Sequence, residues 1–468
     1  MVFSSAVFLL IFLPVVLLLY YLLPDRVRNP LLLVASLLFY GWGEPIYILI
    51  MLFSTVFDYC NGMMLEWLDK KGKPEKRKWV LILSLVGNLG ILGFFKYTDF
   101  LISSVNALTG QEFDLLGIAL PIGISFYTFQ TLSYTIDVYR REVEAQHNIL
   151  DFGMYICMFP QLIAGPIVKY RDIARQIRNR VHNPDRVCAG ILRFTFGLGK
   201  KVLLANNCGM IWDEISAQQG NAAVTALIGA IAYMLQIYFD FSGYSDMAIG
   251  IGKMLGFDFL ENFNYPYESK SVTEFWRRWH ISLGSWFREY LYIPLGGNRK
   301  GLPRQMVNLL VVWALTGLWH GAGWNFVVWG LYFFVLLAIE KLFLYNLLKK
   351  APSVIGRLYT LFAVLISWVI FACDDIGVAW QYILSLFGAN GYADAASAYY
   401  LREYFFILLI GAVLSVSFVR RFLAQKVNSL RSANVRFGIK TAIGAALYLT
   451  SLLMVIGSSY NPFLYFRF

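Results

Sequence analysis

Two of the four histidines in this sequence follow directly on a tryptophan: His280 after Trp279, and His320 after Trp319. An imidazole has an ordinary pKa of about 6.5, so it can take up and release a proton at physiological pH. Ionisable side chains at membrane depth are costly and usually face a cavity or the interior of a helix bundle. In a chain dominated by apolar stretches, these two rings are the first candidates for chemistry.

Residues 276–290, around His280, predict a helix with two faces. An apolar stripe with helical spacing comprises Trp276, Trp279, Leu283, Phe287 and Tyr290. Another face carries Arg277, His280, Gly284 and Arg288. A helix with this charge lies along the membrane interface or caps a bundle, because it is too polar to cross lipid alone. It is either an interfacial anchor with cations facing headgroups or part of a site, and the spacing leaves both open.

His320 lies in segment 316–325, where three glycines separate apolar runs at 305–318 and 326–339. Glycine permits a close turn or the close approach of a ligand, at some cost to a helix. The ring is therefore predicted at a break in the hydrophobic structure. One interpretation is a structural histidine whose ring nitrogens are hydrogen-bonded within the protein. A reacting group is favoured, because a plain turn inside a membrane has no need of a titratable ring.

The composition indicates a polytopic helical membrane protein. Of 468 residues, 58% are hydrophobic and 15% are charged, against roughly 45–50% and 25% in soluble domains. The apolar runs are long and continuous, unlike the alternating segments of a transmembrane β-barrel. The net charge of +11 resides in basic loops, which argues for membrane orientation and against a nucleic-acid partner. Five scattered cysteines show no paired spacing, so neither a disulfide framework nor a metal site is predicted.

About eleven or twelve transmembrane or re-entrant helices are predicted, in addition to 30–41, which is marginal in length. The segments are 5–23, 30–41, 44–62, 79–98, 117–138, 149–168, 190–212, 223–239, 305–318, 326–339, 356–372, 402–419 and 441–458. Pro160, Gly165 and Pro166 predict that 149–168 is re-entrant or broken, which is tolerated where protein shields it. The first segment is interpreted as a retained helix and not as a removed signal peptide, because no small-residue cleavage site follows it.

The basic loops are expected in the cytoplasm, namely 70–78, 169–186, 297–304, 349–357 and 420–440. This alternation puts the C-terminus at Phe468 outside and leaves the side of the N-terminus open, since that depends on 30–41. His147 and His182 are interpreted as loop histidines without a catalytic role.

The segment from Asp240 to Asp246, DFSGYSD, follows the apolar run 223–239. Two carboxylates, two serines and Tyr244 in so short a stretch are typical of a polar pocket. The alternative is an ordinary helix terminus, because Asp and Ser favour caps and breaks. The residues by themselves leave both interpretations open.

The segments FWRRWHISLGSWFREYLYIPLGGNRKG and LTGLWHGAGWNFVVWGLYF resemble the membrane-bound O-acyltransferase (MBOAT) superfamily, and more narrowly its bacterial alginate O-acetyltransferase branch. FPQLIAGP at 159–166 and DFSGYSDMAIG at 240–250 resemble further motifs of the family, and NPFLYFRF at the C-terminus resembles the ending of the alginate branch. The resemblance covers most of the chain. It implies an all-α fold in one membrane domain, residues 1–468 with a core at about 120–340, built as a ring of helices around a thin centre.

By the same resemblance, His320 takes the position of the superfamily's catalytic histidine and His280 that of a second active-site residue. Acyl transfer to a hydroxyl needs a base for the alcohol proton and a donor for the oxyanion. We therefore expect His320 as general base and His280 as orienting or oxyanion-stabilising partner, with Asn325 as another donor. Further candidates for binding substrate or donor are Asp240, Ser242, Tyr244, Asp246, Trp319, Arg277 and Arg288. The two arginines suit coenzyme A phosphates or an acidic carrier protein, although membrane anchoring explains them equally.

The resemblance implies an O-acyltransferase of the bacterial inner membrane that moves an acyl group, in particular acetyl, from a cytoplasmic thioester toward an exported polysaccharide such as alginate. The donor would be acetyl-CoA or an acyl-carrier thioester, with no bound cofactor and no metal. Expected partners are membrane lipid and a periplasmic or extracellular O-acetyltransferase. The alternatives are O-acetylation of peptidoglycan or another wall polymer, D-alanyl transfer from a carrier protein and, in another class, a secondary transporter.

Overall fold

The computed structural model describes residues 1–218, 220–430, 432–458, 460–462 and 464, and all regular structure within these ranges is helical. The first helices are α1 (Leu13–Leu22), α2 (Asp25–Gly41), α3 (Ile48–Lys70), α4 (Arg77–Thr109), α5 (Ile124–Arg140), α6 (Ile149–Cys157), α7 (Phe159–Leu162), α8 (Tyr170–Arg178), α9 (Pro184–Gly199), α10 (Asn206–Ser216) and α11 (Ala223–Met254). They are followed by α12 (Val272–Arg278), α13 (Ile281–Phe287), α14 (Gly301–His320), α15 (Trp324–Ile339), α16 (Tyr345–Lys350), α17 (Ser353–Ala372), α18 (Ile376–Leu386), α19 (Ala395–Leu414), α20 (Ser417–Asn428) and α21 (Ala433–Gly457). Short π-helical turns lie at Phe8–Phe12, Lys200–Ala205, Arg288–Tyr292 and Glu340–Leu344, and 3-10 turns at Pro74–Lys76 and Pro266–Glu268.

Seven helices in the described part of the chain are long and apolar enough to cross a membrane. They are Ile48–Lys70, Pro74–Thr109, Ala223–Met254, Trp324–Lys350, Ser353–Ala372, Ala395–Leu414 and Ala433–Gly457. Two shorter apolar helices are Phe8–Leu22 and Ile376–Leu386. The prediction of an all-α, polytopic membrane protein is confirmed, although several predicted segments form shorter or interrupted helices.

The chain divides into two compact units. The first comprises residues 1–194 and 247–260, and its interior includes a buried polar cluster. There the carboxylate of Asp58 accepts hydrogen bonds from Ser84, Asn88, Asn61 and Thr135 at 2.6–3.2 Å. This pairing of a buried carboxylate with several donors across helices is how a polar group is tolerated in an apolar interior.

The second unit comprises residues 195–246 and 261–468. Its core is rich in aromatic residues, and five tryptophans within it are almost completely buried: Trp212, Trp279, Trp313, Trp329 and Trp368. Their ring centroids lie 4.9–6.3 Å apart where they touch, for example Trp279 against Trp368 and Trp313 against Trp329, in the range of favourable aromatic contacts. Both histidines of interest belong to this unit.

The predicted continuous helix over 276–290 is wrong. Helix α12 ends at Arg278, Trp279 is extended, and His280 adopts left-handed backbone angles before α13 begins. The broken turn is stabilised by non-helical backbone bonds, from Ile281 N–H to the Asn262 carbonyl and from Asn264 N–H to that of Arg278. The apolar spacing persists across the break, so periodicity alone did not reveal it.

A helix terminus at 240–246, one of the two interpretations left open, is also wrong. Helix α11 runs through this segment to Met254, and Gly243 packs against the carbonyl oxygen of Gly197. The segment 149–168 is broken as predicted, into α6, α7 and irregular chain. The predicted outer position of Phe468 lies outside the described residues.

Candidate active site

His320 is the last residue of α14 and is positioned by the packing of α14 on α15. A Cβ atom on Gly317 would lie 2.3 Å from the carbonyl oxygen of Phe326, and one on Gly330 would lie 2.4 Å from that of Trp313. Only glycine fits at these two positions, so the helix backbones approach closely, as small residues allow between membrane helices. Gly317, three residues before His320, is therefore required for the contact between the two helices.

Helix α12, which leads to His280, is held at its N-terminus by Glu340. The buried Glu340 carboxylate accepts hydrogen bonds from the backbone N–H groups of Val272 and Thr273 at 2.6 and 2.8 Å, and from the Thr273 hydroxyl at 2.6 Å. Unpaired N–H groups and the helix dipole both favour an anion at this end of a helix. Glu340 therefore ties the segment before His280 to the long apolar helix Trp324–Lys350.

His280 occupies the break between α12 and α13 with φ 46° and ψ 54°. This left-handed conformation is strained for most residues with a side chain, although histidine adopts it more often than most. Asn262 holds the turn in place. Its backbone carbonyl accepts from Ile281 N–H at 3.0 Å, and its side-chain oxygen accepts from the N–H and hydroxyl of Ser282 at 3.2 and 2.9 Å.

The same amide selects the tautomer of His280. A backbone N–H can only donate, so the Asn262 atom that Ser282 N–H contacts is the carbonyl oxygen. His280 Nδ1 lies 3.1 Å from this oxygen and therefore carries the proton. Nε2 is left with its lone pair, and it is buried with no hydrogen-bond partner among the described residues. Complete burial lowers the pKa of His280 to about 3, so the ring is neutral at physiological pH.

Both histidines line one cavity of about 40 Å³. Trp319 contacts both imidazoles, with ring centroids 6.0 Å from His280 and 4.9 Å from His320. A single water needs about 10–15 Å³ by the same measure, so the space suits a group of a few heavy atoms. The lining is largely aromatic and consists of Ile237, Asp240, Phe241, Trp279, His280, Trp319, His320, Trp368, Phe371 and Leu464.

Of the other predicted residues, Asp240 and Trp319 join the histidines at the cavity. Asp240 is 3% exposed, and its carboxylate pairs with Lys201 at 2.7 Å. The other polar residues of 240–246 lie on other faces of α11. Ser242 and Tyr244 are buried but do not line the cavity, and Asp246 pairs with Lys200 at 2.6 Å.

Three further candidates are not part of the cavity lining. Arg277 and Arg288 are exposed to the surroundings of the protein. Asn325 is 2% exposed in the first turn of α15, outside the cavity lining. The structure therefore brings together four of the ten sequence-predicted residues and separates the other six.

Sequence reasoning missed Asn262, Glu340, Phe371 and Leu464. Asn262 precedes His280 by eighteen positions, and no local pattern links the two. Phe371 lies in an apolar run whose members are interchangeable by periodicity. Only the fold identifies which of them faces the imidazole of His320, where the ring centroids are 5.4 Å apart.

Comparison with known proteins connects this geometry to a family. The model of the membrane-bound O-acyltransferase family matches residues 32–380. The probable alginate O-acetylase of Azotobacter vinelandii is 40% identical over the full length of both chains. That of Pseudomonas aeruginosa is 46% identical over 83% of this chain and 75% of its own. The peptidoglycan O-acetyltransferase of Helicobacter pylori is 32% identical over all of this chain and 98% of its own.

The family match includes both cavity histidines and most of the transmembrane helices. A small, apolar cavity with two imidazoles is a setting in which a proton can be removed from a hydroxyl without competing water. On the extent of these matches, the chain belongs to the membrane-bound O-acyltransferase family.

Proposed function

We propose that this protein transfers an acetyl group from a cytoplasmic thioester toward hydroxyls of an exported polysaccharide such as alginate. The observation that carries the proposal is the pair of imidazoles on one small cavity, in a chain 40% identical to a probable alginate O-acetylase over its whole length. A cavity of about 40 Å³ accommodates the three heavy atoms of an acetyl group. Its apolar walls suit the methyl group and exclude water from the reacting ester.

In the proposed reaction His320 is the general base. It takes the proton of the acceptor hydroxyl while the hydroxyl oxygen attacks the thioester carbonyl carbon. The carbon–sulfur bond then breaks, and the proton passes from the imidazole to the departing thiolate. The products are an O-acetyl ester and a free thiol, so atoms and charge balance.

His280 acts as the orienting partner of His320. Its Nδ1–H is already donated to Asn262, so the neutral ring has no donor left for an oxyanion. The O–H of the acceptor donates to His320, so the Nε2 lone pair of His280 can instead accept a hydrogen bond from a neighbouring hydroxyl of the polysaccharide and so orient the acceptor. Of the two roles expected from the sequence, orientation therefore fits the observed hydrogen bonds.

The proposal also includes location and partners. Basic loops support a multi-pass protein of the bacterial inner membrane with its C-terminus outside. The donor is acetyl-CoA or an acyl-carrier thioester, and an extracytoplasmic O-acetyltransferase partner finishes the transfer to the polymer. Because the family match extends through both compact units, we treat residues 1–468 as one functional membrane domain.

O-acetylation of peptidoglycan is the second candidate. It is favoured by the 32% identity to the Helicobacter pylori enzyme over nearly the full length of both chains. The same cavity and histidines serve both reactions, so the acceptor polymer distinguishes them. Acetyl ester on purified peptidoglycan with none on exported polysaccharide would favour this second function.

The test is acetylation of the exported polymer in cells that carry His320→Ala, His280→Ala or the control His147→Ala. His147 is 55% exposed, pairs with Glu66 and is not part of the cavity lining, so its loss should leave acetylation unchanged. Loss of the general base should lower the transfer rate by ~10²–10⁴-fold. Protein amounts in the membrane are measured in parallel. Full acetylation in the His320 variant at normal abundance would refute the mechanism.

A further inference from the structure

Residues 460–462 and 464 are attached to the wall of the cavity by a buried polar cluster. Lys201 Nζ lies 2.7 Å from the Asp240 carboxylate, and both side chains are 4% exposed. The other carboxylate oxygen of Asp240 accepts a hydrogen bond from the backbone N–H of Leu464 at 3.0 Å. Lys201 Nζ also donates to the carbonyl oxygen of Pro462 and, at 2.8 Å, to Asn206 Oδ1.

A second set of contacts holds the preceding residues. Asn206 Nδ2 lies 3.2 Å from Asn461 Oδ1 and 3.4 Å from the carbonyl oxygen of Tyr460. The Tyr460 hydroxyl donates to Asp213 at 2.5 Å. Residues 460–462 and 464 are thus attached at five polar groups to α10, α11 and the π-helical turn before α10. A buried ion pair is costly to form unless such additional hydrogen bonds satisfy it, and its geometry is then specific.

The residue placed by these contacts is Leu464, which is 4% exposed and lines the cavity beside both histidines. Its isobutyl group forms one wall of a space with room for a few heavy atoms. An acyl chain longer than acetyl needs further volume, and adjacent aromatic walls such as Trp368 and Phe371 belong to helix α17 in the packed core. Leu464, by contrast, lies beyond the last long helix, α21, and is held at the cavity by the polar contacts described above.

We propose that Leu464 determines the acyl size that the enzyme accepts, and that Lys201 and Asp240 are the positioning residues that hold it there. This inference rests on the proposed acetyl transfer. It gives Asp240 a role different from donor binding: the carboxylate contacts the backbone of the specificity residue. Each additional methylene in a filled apolar pocket changes discrimination by ~10–200-fold, so a smaller residue at 464 should admit longer chains.

The experiment measures thiol release by the full-length protein in detergent with acetyl-CoA and with butyryl-CoA, in the presence of an alginate oligosaccharide as the hydroxyl acceptor. In Leu464→Ala, the ratio of kcat/KM for butyryl over acetyl should rise at least ~10-fold. Leu464→Val should shift the ratio less in the same direction, and this variant tests the idea if the alanine variant does not fold. Leu453→Ala is the matched control, because Leu453 is 70% exposed on α21, and its ratio should stay unchanged.

A double variant, Lys201→Met with Asp240→Leu, removes both charges together while leaving Leu464 intact. Replacing a whole buried pair avoids leaving one unpaired charge. We expect the ratio to rise as in Leu464→Ala, since the wall is no longer held. A purely structural role would lower both rates alike and leave the ratio unchanged, which would overturn the positioning role.

Two failures are distinguishable. If the wild-type protein consumes acetyl-CoA and the ratio is the same in wild type, Leu464→Ala and Leu464→Val, this inference is wrong and the proposed function stands. The other failure concerns the wild-type protein, assayed in membranes of cells that acetylate their exported polymer. If it does not transfer acetyl from any thioester there, the proposed function is wrong and this inference is wrong with it.

Discussion

The substitution Gly317→Ala tests whether the close packing of α14 on α15 positions His320. A new Cβ atom would lie 2.3 Å from the carbonyl oxygen of Phe326, whereas real Cβ contacts are essentially never shorter than 3.0 Å. The two helices must therefore separate by at least about 0.7 Å, and such overpacking typically costs ~1–3 kcal/mol of unfolding free energy. His320 follows within one helical turn, so its ring should move by a similar distance. A misplacement of about 1 Å at a reacting group can cost ~10²-fold in rate.

The measurements are the rate of acetyl transfer and the unfolding temperature in detergent. Gly438→Ala on α21 is the matched control, because a Cβ atom there meets nothing within 4 Å. We expect the control to keep the rate and to keep or slightly raise the unfolding temperature, since alanine favours a helix more than glycine does, and Gly317→Ala to lower the rate ~10²-fold and the unfolding temperature by several degrees. A Gly317→Ala protein with the wild-type rate would refute the view that this helix contact sets the active geometry.

Two further predictions concern His280. Its pKa of about 3 in the folded protein lies below the ordinary ~6.5 of an unfolded chain, so stability should fall as the pH decreases from about 6.5, by at most ~1.4 kcal/mol per pH unit. Thermal unfolding at pH 7 and 5 should show a smaller acid loss for His280→Gln, and an equal loss would contradict this origin. Asn262→Ala removes the acceptor that sets the His280 tautomer and should lower kcat ~10–100-fold with KM little changed. Steady-state kinetics beside the exposed-residue control Asn428→Ala checks this, and an unchanged kcat in Asn262→Ala would count against the assigned tautomer.

Much of the fold could be predicted from the chain because the hydrophobic effect acts through local pattern. A run of about twenty apolar residues must be a buried or membrane-spanning helix whatever surrounds it. The break after His320 was predictable for a similar reason, since glycines interrupt two apolar runs there. By contrast, the break at His280 was not, because Trp279 and Leu283 keep helical spacing across a turn that the distant Asn262 and Asn264 stabilise.

The polar residues of 240–246 illustrate what local sequence cannot decide. Two aspartates six positions apart on α11 have different partners: Asp240 accepts a hydrogen bond from the backbone of Leu464 at the cavity, whereas Asp246 pairs with Lys200 and is not part of the cavity lining. Their partners depended on which face of the helix met which neighbour.

The sequence by itself determined a helical membrane protein, two histidines as the reacting candidates and a resemblance that the comparisons confirmed, because apolar runs, titratable residues and long motifs are readable along the chain. Only the tertiary structure decided that both imidazoles share one cavity, which nitrogen of His280 carries its proton and that Leu464 closes the wall. These features come from residues up to 224 positions apart. Buried polar groups must find partners wherever packing brings them, and that requirement leaves no mark in the local pattern.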